Sequence, residues 1–282
     1  RINFFNLRSF GYIIANLRLN FQINFLVKIY NPKFLFITFE GHAWERLIIK
    51  NIKKNYKTKI IAYQFSSVTK NHHSLFRSLS KSTDPDYIFT TGRYTYKKFK
   101  KNYDCVIKII GSNKWKSNIL DKSKKLKKNI LILPEAYISE SKNLLNFAIK
   151  ISKLSNDFKF YLRLHPMINF KQLDVNLSNY NNIELSKKTI EDDFKRSSHF
   201  IYRGSASAME AACKGLQPIY FGTFNNANVN PLFEVLKKEN YITDPKKFID
   251  LLKKNKFDNN ETRSYSKNFF QKLKLNKNIF KI

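Results

Sequence analysis

Two short stretches hold the residues best suited to chemistry. One is Arg163-Leu164-His165-Pro166, which closes an apolar run beginning at Phe158. The other is Gly204-Ser205-Ala206-Ser207, with Glu210 one turn further on, which follows the apolar run from His199 to Tyr202. In the first, Pro166 cannot donate to a sheet ladder and steers the chain outward, which leaves His165 at a strand end. A histidine there can donate to a phosphate oxygen, and Arg163 adds a fixed positive charge; charge-assisted bonds of this kind contribute roughly 1.5–3 kcal/mol each. The alternative for His165 is a histidine that only caps a strand. In the second stretch, two hydroxyls, a glycine and the free backbone N–H groups of a helix start form an anion site, with Glu210 placed to accept from ribose hydroxyls. The spacing of Ser207 and Glu210 also fits a capping box, and the two roles can coexist.

A third stretch is Phe39-Glu40-Gly41-His42-Ala43-Trp44-Glu45. Glu40 stands just beyond a predicted strand, and Gly41 permits close backbone approach. A general base needs this setting: rigidly held and partly desolvated, so that its pKa moves toward neutrality. His42 is the rival base, because an ordinary imidazole already titrates near pH 6.5. The alternative for Glu40 is a plain helix cap. Gln64, Ser66, Ser67, Glu135, Ser139 and Glu140 follow other strands and read first as loop or cap residues. His72 and His73 are adjacent, so on a helix they point in different directions and do not make a metal pair.

The elements that must position these loops alternate. Strands are predicted at Lys33–Phe39, Lys59–Tyr63, Tyr87–Thr90 and Val106–Ile110, with helices at Trp44–Lys53, near Leu75 and at Tyr94–Lys101. A second series has strands at Asn129–Leu133, Phe158–Leu164, Ile183–Leu185, His199–Tyr202 and Gln217–Phe221. Its helices are expected at Lys142–Leu154, Ile190–Arg196, Ser207–Lys214, Phe248–Lys254 and Tyr265–Leu273. Strands separated by helices indicate parallel sheets with right-handed crossovers. The expected class is therefore α/β, with two Rossmann-like domains facing a cleft. The expected bounds are 1–112 for the amino-terminal domain, 113–128 for a basic linker, and 129–282 for the carboxy-terminal domain with its closing helices. Residues 1–31 read as a core-packing helix, with a membrane-surface helix as the alternative.

Composition bounds the rest. At 282 residues, 43% hydrophobic and 15% aromatic, the chain is a folded protein rather than a disordered one. Cys105 and Cys213 match no metal-ligand spacing and suit a reducing compartment. A net charge of +31 implies attraction to anionic surfaces, though the spread of Lys and Asn along the chain also fits a biased composition. No reader motif for nucleic acid is present, and the aromatics fall in predicted core elements, so nucleic acid is not an expected partner. No apolar run reaches the roughly 20 residues of a spanning helix, and no secretory leader pattern stands at Arg1. The expected location is cytoplasmic, with peripheral contact to an anionic inner membrane face.

At these three loops the chain resembles bacterial GT-B-fold glycosyltransferases of surface polysaccharide biosynthesis, those that build capsule and lipopolysaccharide. The pattern is that of the sialyltransferase and Kdo-transferase-like groups, which use CMP-activated sugars. Those groups carry an acidic-acidic-glycine motif, a His-Pro motif and a serine-rich motif. Here Phe39-Glu40-Gly41 matches the first in its last two positions, His165-Pro166 matches the second, and Ser205-Ala206-Ser207 approximates the third. The resemblance implies transfer without a metal or a separate cofactor, from a CMP-linked donor to a glycan or glycolipid acceptor. It makes 1–112 the acceptor-side domain and 129–282 the nucleotide-sugar-binding domain. It implies Glu40 as general base and His165 as donor-phosphate ligand and acid. Ser205 and Ser207 become nucleotide-phosphate ligands, within a donor site completed by Arg163, Pro166, Gly204 and Glu210. The second half is also similar to CDP-glycerol-type polyol-phosphate transferases. A UDP-sugar transferase or epimerase of the same fold is a further alternative, as is a binding-only relative. The amino-terminal domain is short of strands for this fold, as a truncated start would make it.

Overall fold

The computed structural model describes residues 7–115, 129–223, 225, 229–253 and 260–274, so 116–128 of the expected basic linker lie outside the described residues. The chain divides into two compact units. The first takes the described residues up to Ser66, those from His72 to Asn113, and the segment from Phe269; the second takes Ser67–Asn71 and the described residues from Lys114 to Asn268.

In the first unit, α1 (Leu7–Tyr30) precedes β1 (Phe34–Thr38), α2 (Ala43–Asn55), β2 (Lys59–Gln64), β3 (Tyr87–Thr90), α3 (Arg93–Asn102) and β4 (Val106–Ile109). The four strands pair in parallel in the order β1-β2-β3-β4. Asn31, at φ 41°, ends α1 by returning its N–H to the Val27 carbonyl, with Pro32 next. Phe39, Phe76, Phe99 and Tyr103 form an aromatic cluster in this unit. The expected core-packing role of α1 is not what forms: among its residues 11–30 only Val27 is buried.

The helix expected near Leu75 is a turn instead, for a specific reason. Arg46 Nη2 donates to the carbonyls of Ser74 and Arg77, and Tyr103 Oη donates to those of Leu75 and Arg77. Carbonyls that a helix would use as its own acceptors are already taken by side chains. Arg46 is itself buried and paired with Asp84 at 2.7 Å, so the whole loop is tied to α2.

The second unit begins with β5 (Asn129–Leu133), α4 (Ile138–Leu154), β6 (Lys159–Leu162), β7 (Ile183–Leu185), α5 (Ile190–Arg196) and β8 (His199–Tyr202). It continues with α6 (Ser207–Cys213), β9 (Gln217–Phe221), β10 (Tyr241–Ile242), α7 (Pro245–Lys253) and α8 (Asn260–Phe269). All strands are parallel, in the order β10-β9-β8-β5-β6-β7. Such strands, covered on both faces, read as continuous apolar runs rather than alternating ones. Phe147, Phe158, Phe160 and Phe248 pack together in the core between α4, α7 and the sheet. Strand β6 stops at Leu162, short of the expected Leu164.

The closing helix also differs. It runs Asn260–Phe269, and the chain then turns extended and belongs to the first unit rather than to the domain expected over 129–282. Thr91 Oγ1 donates to the Phe269 carbonyl, Gln271 N–H to Thr91, Ser112 N–H to Gln271, and Lys274 N–H to Ile110. The strap lies so close that a Cβ on Gly111 (φ 87°) would come within 2.2 Å of the Lys272 carbonyl oxygen. Gly111→Ala should therefore cost at least about 2 kcal/mol in urea unfolding. Gly11→Ala, with nothing within 4 Å of the new methyl, should be neutral or stabilising by up to about 1 kcal/mol.

Candidate functional site

Parallel sheets offer ligands the loops beyond their strands' carboxyl ends. In the first unit β1 ends at Thr38, and alternation turns Phe39 into the core, where it is fully buried against Phe99 and Tyr103. Gly41 holds φ 76°, and a Cβ there would meet the Ser74 carbonyl oxygen at 2.3 Å, so the turn admits glycine alone. Glu45, fully buried, bends back to accept the N–H groups of Glu40 (2.9 and 3.0 Å) and His42 (2.8 Å). That clamp brings Glu40 Oε2 to 2.9 Å from His42 Nε2, with side chains 22% and 50% exposed respectively. Ser74 Oγ donates to the Glu40 carbonyl at 3.4 Å, and His72 approaches from the same loop.

The electrostatics differ from the expectation that Glu40 drifts toward neutrality. Burial raises its carboxyl, but the Ser66 hydroxyl, the His42 ring and the charges of His42 and His72 together outweigh it and hold it below the ordinary value. Burial pushes Glu45 up despite its two N–H donors, and pushes the His72 imidazole down more than the Glu40 charge restores it. Gln64 is fully buried, bonding the Ser66 carbonyl and accepting from Thr91, so it belongs to the scaffold. Among the described residues no group of three or more His, Cys, Asp or Glu is placed to hold a metal ion.

In the second unit β8, β5 and β6 are neighbours, so the loops after them meet at one edge of the sheet. Connections leave β5 toward β6 on one side and return to β8 on the other, which makes the β5–β8 junction the topological switch point. Glu135 follows β5 there, and its carboxylate rests on Gly204: a Cβ at that position would come 1.2 Å from Glu135 Oε1. Glu140, in the first turn of α4, accepts the Glu135 N–H at 3.3 Å. Burial raises both carboxyls, against the opposing charge of Arg203; Glu140, with Glu135 beside it, is pushed up to about 7. His165 accepts the Met167 N–H on Nδ1 at 3.3 Å, which leaves Nε2 to carry the proton in the neutral ring. Pro166 is exposed beside it.

Two expectations are corrected here. Arg163 donates to the buried Asp193 at 2.7 Å and to the Lys188 carbonyl at 2.7 Å, so its charge is directed at α5 rather than at a ligand. Ser207 is the first residue of α6 rather than its cap; Ala206 holds that position without a side-chain cap, so Ser207 and Glu210 do not stand at the two positions of a capping box. Ser205 is buried in the loop that Gly204 opens, and Ser207, at the start of α6, is half-buried. Sequence reading gave Glu135 and Glu140 minor rank and passed over Arg203. Strand order is what sets the three together, and the only sequence signal was their place just after apolar runs.

No protein-family profile and no curated protein sequence matches the chain. Solved structures do match. The UDP-GlcNAc 2-epimerase of Methanocaldococcus jannaschii, solved with UDP-GlcNAc and UDP, is 10% identical at a TM-score of 0.58, over 91% of this chain and 77% of its own. The UDP-GlcNAc 2-epimerase of Neisseria meningitidis, bound to UDP-GlcNAc, is 12% identical at a TM-score of 0.57, over 91% and 76%. The glycosyltransferase of kitacinnamycin is 9% identical at a TM-score of 0.58, over 93% and 78%. The likeness is one of fold. This chain has the α/β fold of GT-B proteins, with two parallel-sheet Rossmann-like units.

Glu140 makes stability depend on pH. Its folded pKa stands near 7, above the ordinary 4.5, so the folded state keeps its proton longer than the unfolded chain does. Its contribution is complete below about pH 4.5 and is lost as pH rises through about 7. Glu140→Gln should flatten the fall in unfolding free energy between about pH 5 and 8 by ~2–3 kcal/mol, read by urea titration at each pH.

Proposed function

We propose that this chain is a nucleotide-sugar glycosyltransferase whose donor is of the UDP class. The observation that carries the reading is the meeting of three loops at the switch point of the second unit. His165 Nε2, the Arg203 guanidinium and the Ser205 and Ser207 hydroxyls supply donors for a leaving diphosphate, and Glu135 supplies an acceptor for sugar or ribose hydroxyls. Preorganised donors aimed at developing negative charge commonly stabilise such transition states more than any other single effect. Two observations turn the donor away from the CMP class. Phe39, at the first acidic position of that motif, is a core ring, and the epimerase structures with this fold carry UDP-GlcNAc.

In the first unit the Glu40–His42 pair is the proposed base toward the acceptor hydroxyl. Glu40 stays ionised at neutral pH, ready to accept the hydroxyl proton, while His42 donates to its other oxygen and fixes its direction. A second reading, a UDP-sugar epimerase, is favoured by one observation: Glu135 and Glu140 both have raised pKa values beside the proposed nucleotide loops, as acid–base groups for a sugar carbon require. Conversion of a UDP-sugar without any acceptor would decide for it.

UDP at about 100 times its dissociation constant should stabilise the chain by about 2.7 kcal/mol, against little from CMP or CDP, and His165→Ala should weaken that binding tenfold or more. A response to CMP alone, or to no nucleotide, would overturn the donor assignment. Glu40→Gln should lower kcat by roughly 10²–10⁴ while nucleotide stabilisation persists. In His42→Asn, burial acts on Glu40 with less opposition, so the acid limb of kcat/KM should move to higher pH.

A further inference from the structure

α1 is built inside out. The side it turns toward α2 is polar: Asn20 Oδ1 accepts from Asn51 at 3.0 Å, and the Asn24 carbonyl accepts from Tyr56 Oη at 3.3 Å. A different side carries Ile14, Phe21, Phe25 and Ile29 at helical spacing, which are 51%, 70%, 54% and 56% exposed, with the Phe21 and Phe25 rings stacked. Such a row of large apolar side chains left in water is costly and marks a surface that something covers.

Charge selects the occupant. No Asp or Glu occurs from Leu7 to Phe39, whereas Arg18, Lys28 and Lys33 are exposed along the same stretch. A second copy of a chain carrying +31 would bring like charge against like; an anionic lipid surface brings the complement. Aromatic rings and long basic side chains on one helix suit the headgroup boundary, where the rings enter the acyl region and the cations stay with the phosphates. No helix among the described residues is long and apolar enough to cross a membrane, so the helix would lie along the surface rather than span it.

We propose that α1 is the docking face of this protein for an anionic lipid surface. That role is independent of the donor and of the reaction. Flotation of the purified chain with vesicles of phosphatidylcholine alone, and of phosphatidylcholine with ~30% phosphatidylglycerol, tests it. The chain should partition at least about tenfold more strongly onto the anionic vesicles. The triple variant Phe21→Ser, Phe25→Ser, Ile29→Ser should lose about tenfold or more of that partition, because three apolar anchors are removed. These positions are exposed, so its thermal midpoint and circular dichroism should match the parent. Arg18→Ser with Lys28→Ser should weaken binding to the anionic vesicles severalfold, with the apolar row intact.

Three results would overturn the proposal. The triple variant could float as well as the parent, or the parent could float with neither vesicle. Light scattering could instead show the parent to be a dimer that the triple variant converts to a monomer, with vesicle binding unchanged; the covered face would then belong to a second copy.

Discussion

A buried carboxylate closes the first strand-to-helix turn in each unit, and the chemistry-bearing loops depend on it. Once a ladder ends, the next backbone N–H groups lose their partners, and leaving them unsatisfied in the interior costs roughly 1–3 kcal/mol each. Glu45 takes two such groups in the first unit, and Glu140 takes one in the second. In both, the residue five positions upstream is another glutamate: Glu40 and Glu135 stand at strand ends because the carboxylates behind them hold the turn. The two turns differ in charge environment. Burial pushes both acids up; two N–H donors and a nearby imidazole offset part of that for Glu45, whereas Glu140, with one N–H donor and Glu135 beside it, is pushed up to about 7.

The same use of buried acids explains what Arg163 does. Asp193, fully buried on α5, accepts from Arg163, Arg196 and the Ser186 hydroxyl. A buried carboxylate needs several donors to offset its desolvation, and removing one would leave charge without compensation. Arg163 is therefore committed to packing β6 and β7 against α5. That leaves His165, two residues further along, as the polar group that the loop presents.

How much could be read from the chain alone follows from the range of each interaction. The strands were legible because parallel strands covered on both faces are short apolar runs, and Glu40-Gly41-His42 was legible because its spacing is local. Arg163 was misread because Asp193 lies far away in sequence and next to it in space. The ranking of Glu135 depended on β8 lying beside β5, an order that periodicity does not encode. The turn at Leu75 has helical composition, yet Arg46 and Tyr103 claim its carbonyls from distant positions. For α1 the helix was legible and its burial was not: apolar residues were assigned to the core, while Asn20 and Asn24 face α2 instead.

These placements bear on the meaning of a net charge of +31. Glu45, Asp84, Glu140 and Asp193 are all buried, where they hold backbone N–H groups or arginines. Of the cations among the described residues, Arg46 and Lys214 are buried and most lysines are exposed. The interior thus consumes acids faster than it consumes bases, and the exterior is more cationic than composition alone implies. Over a protein surface such an excess raises the local concentration of anions before any specific contact is made, and it does so less as ionic strength increases. The proposed nucleotide diphosphate and the proposed anionic headgroup would both be served by that field. The proposed phosphate donors at the switch point and the apolar row of α1 would separate those two ligands once they arrive.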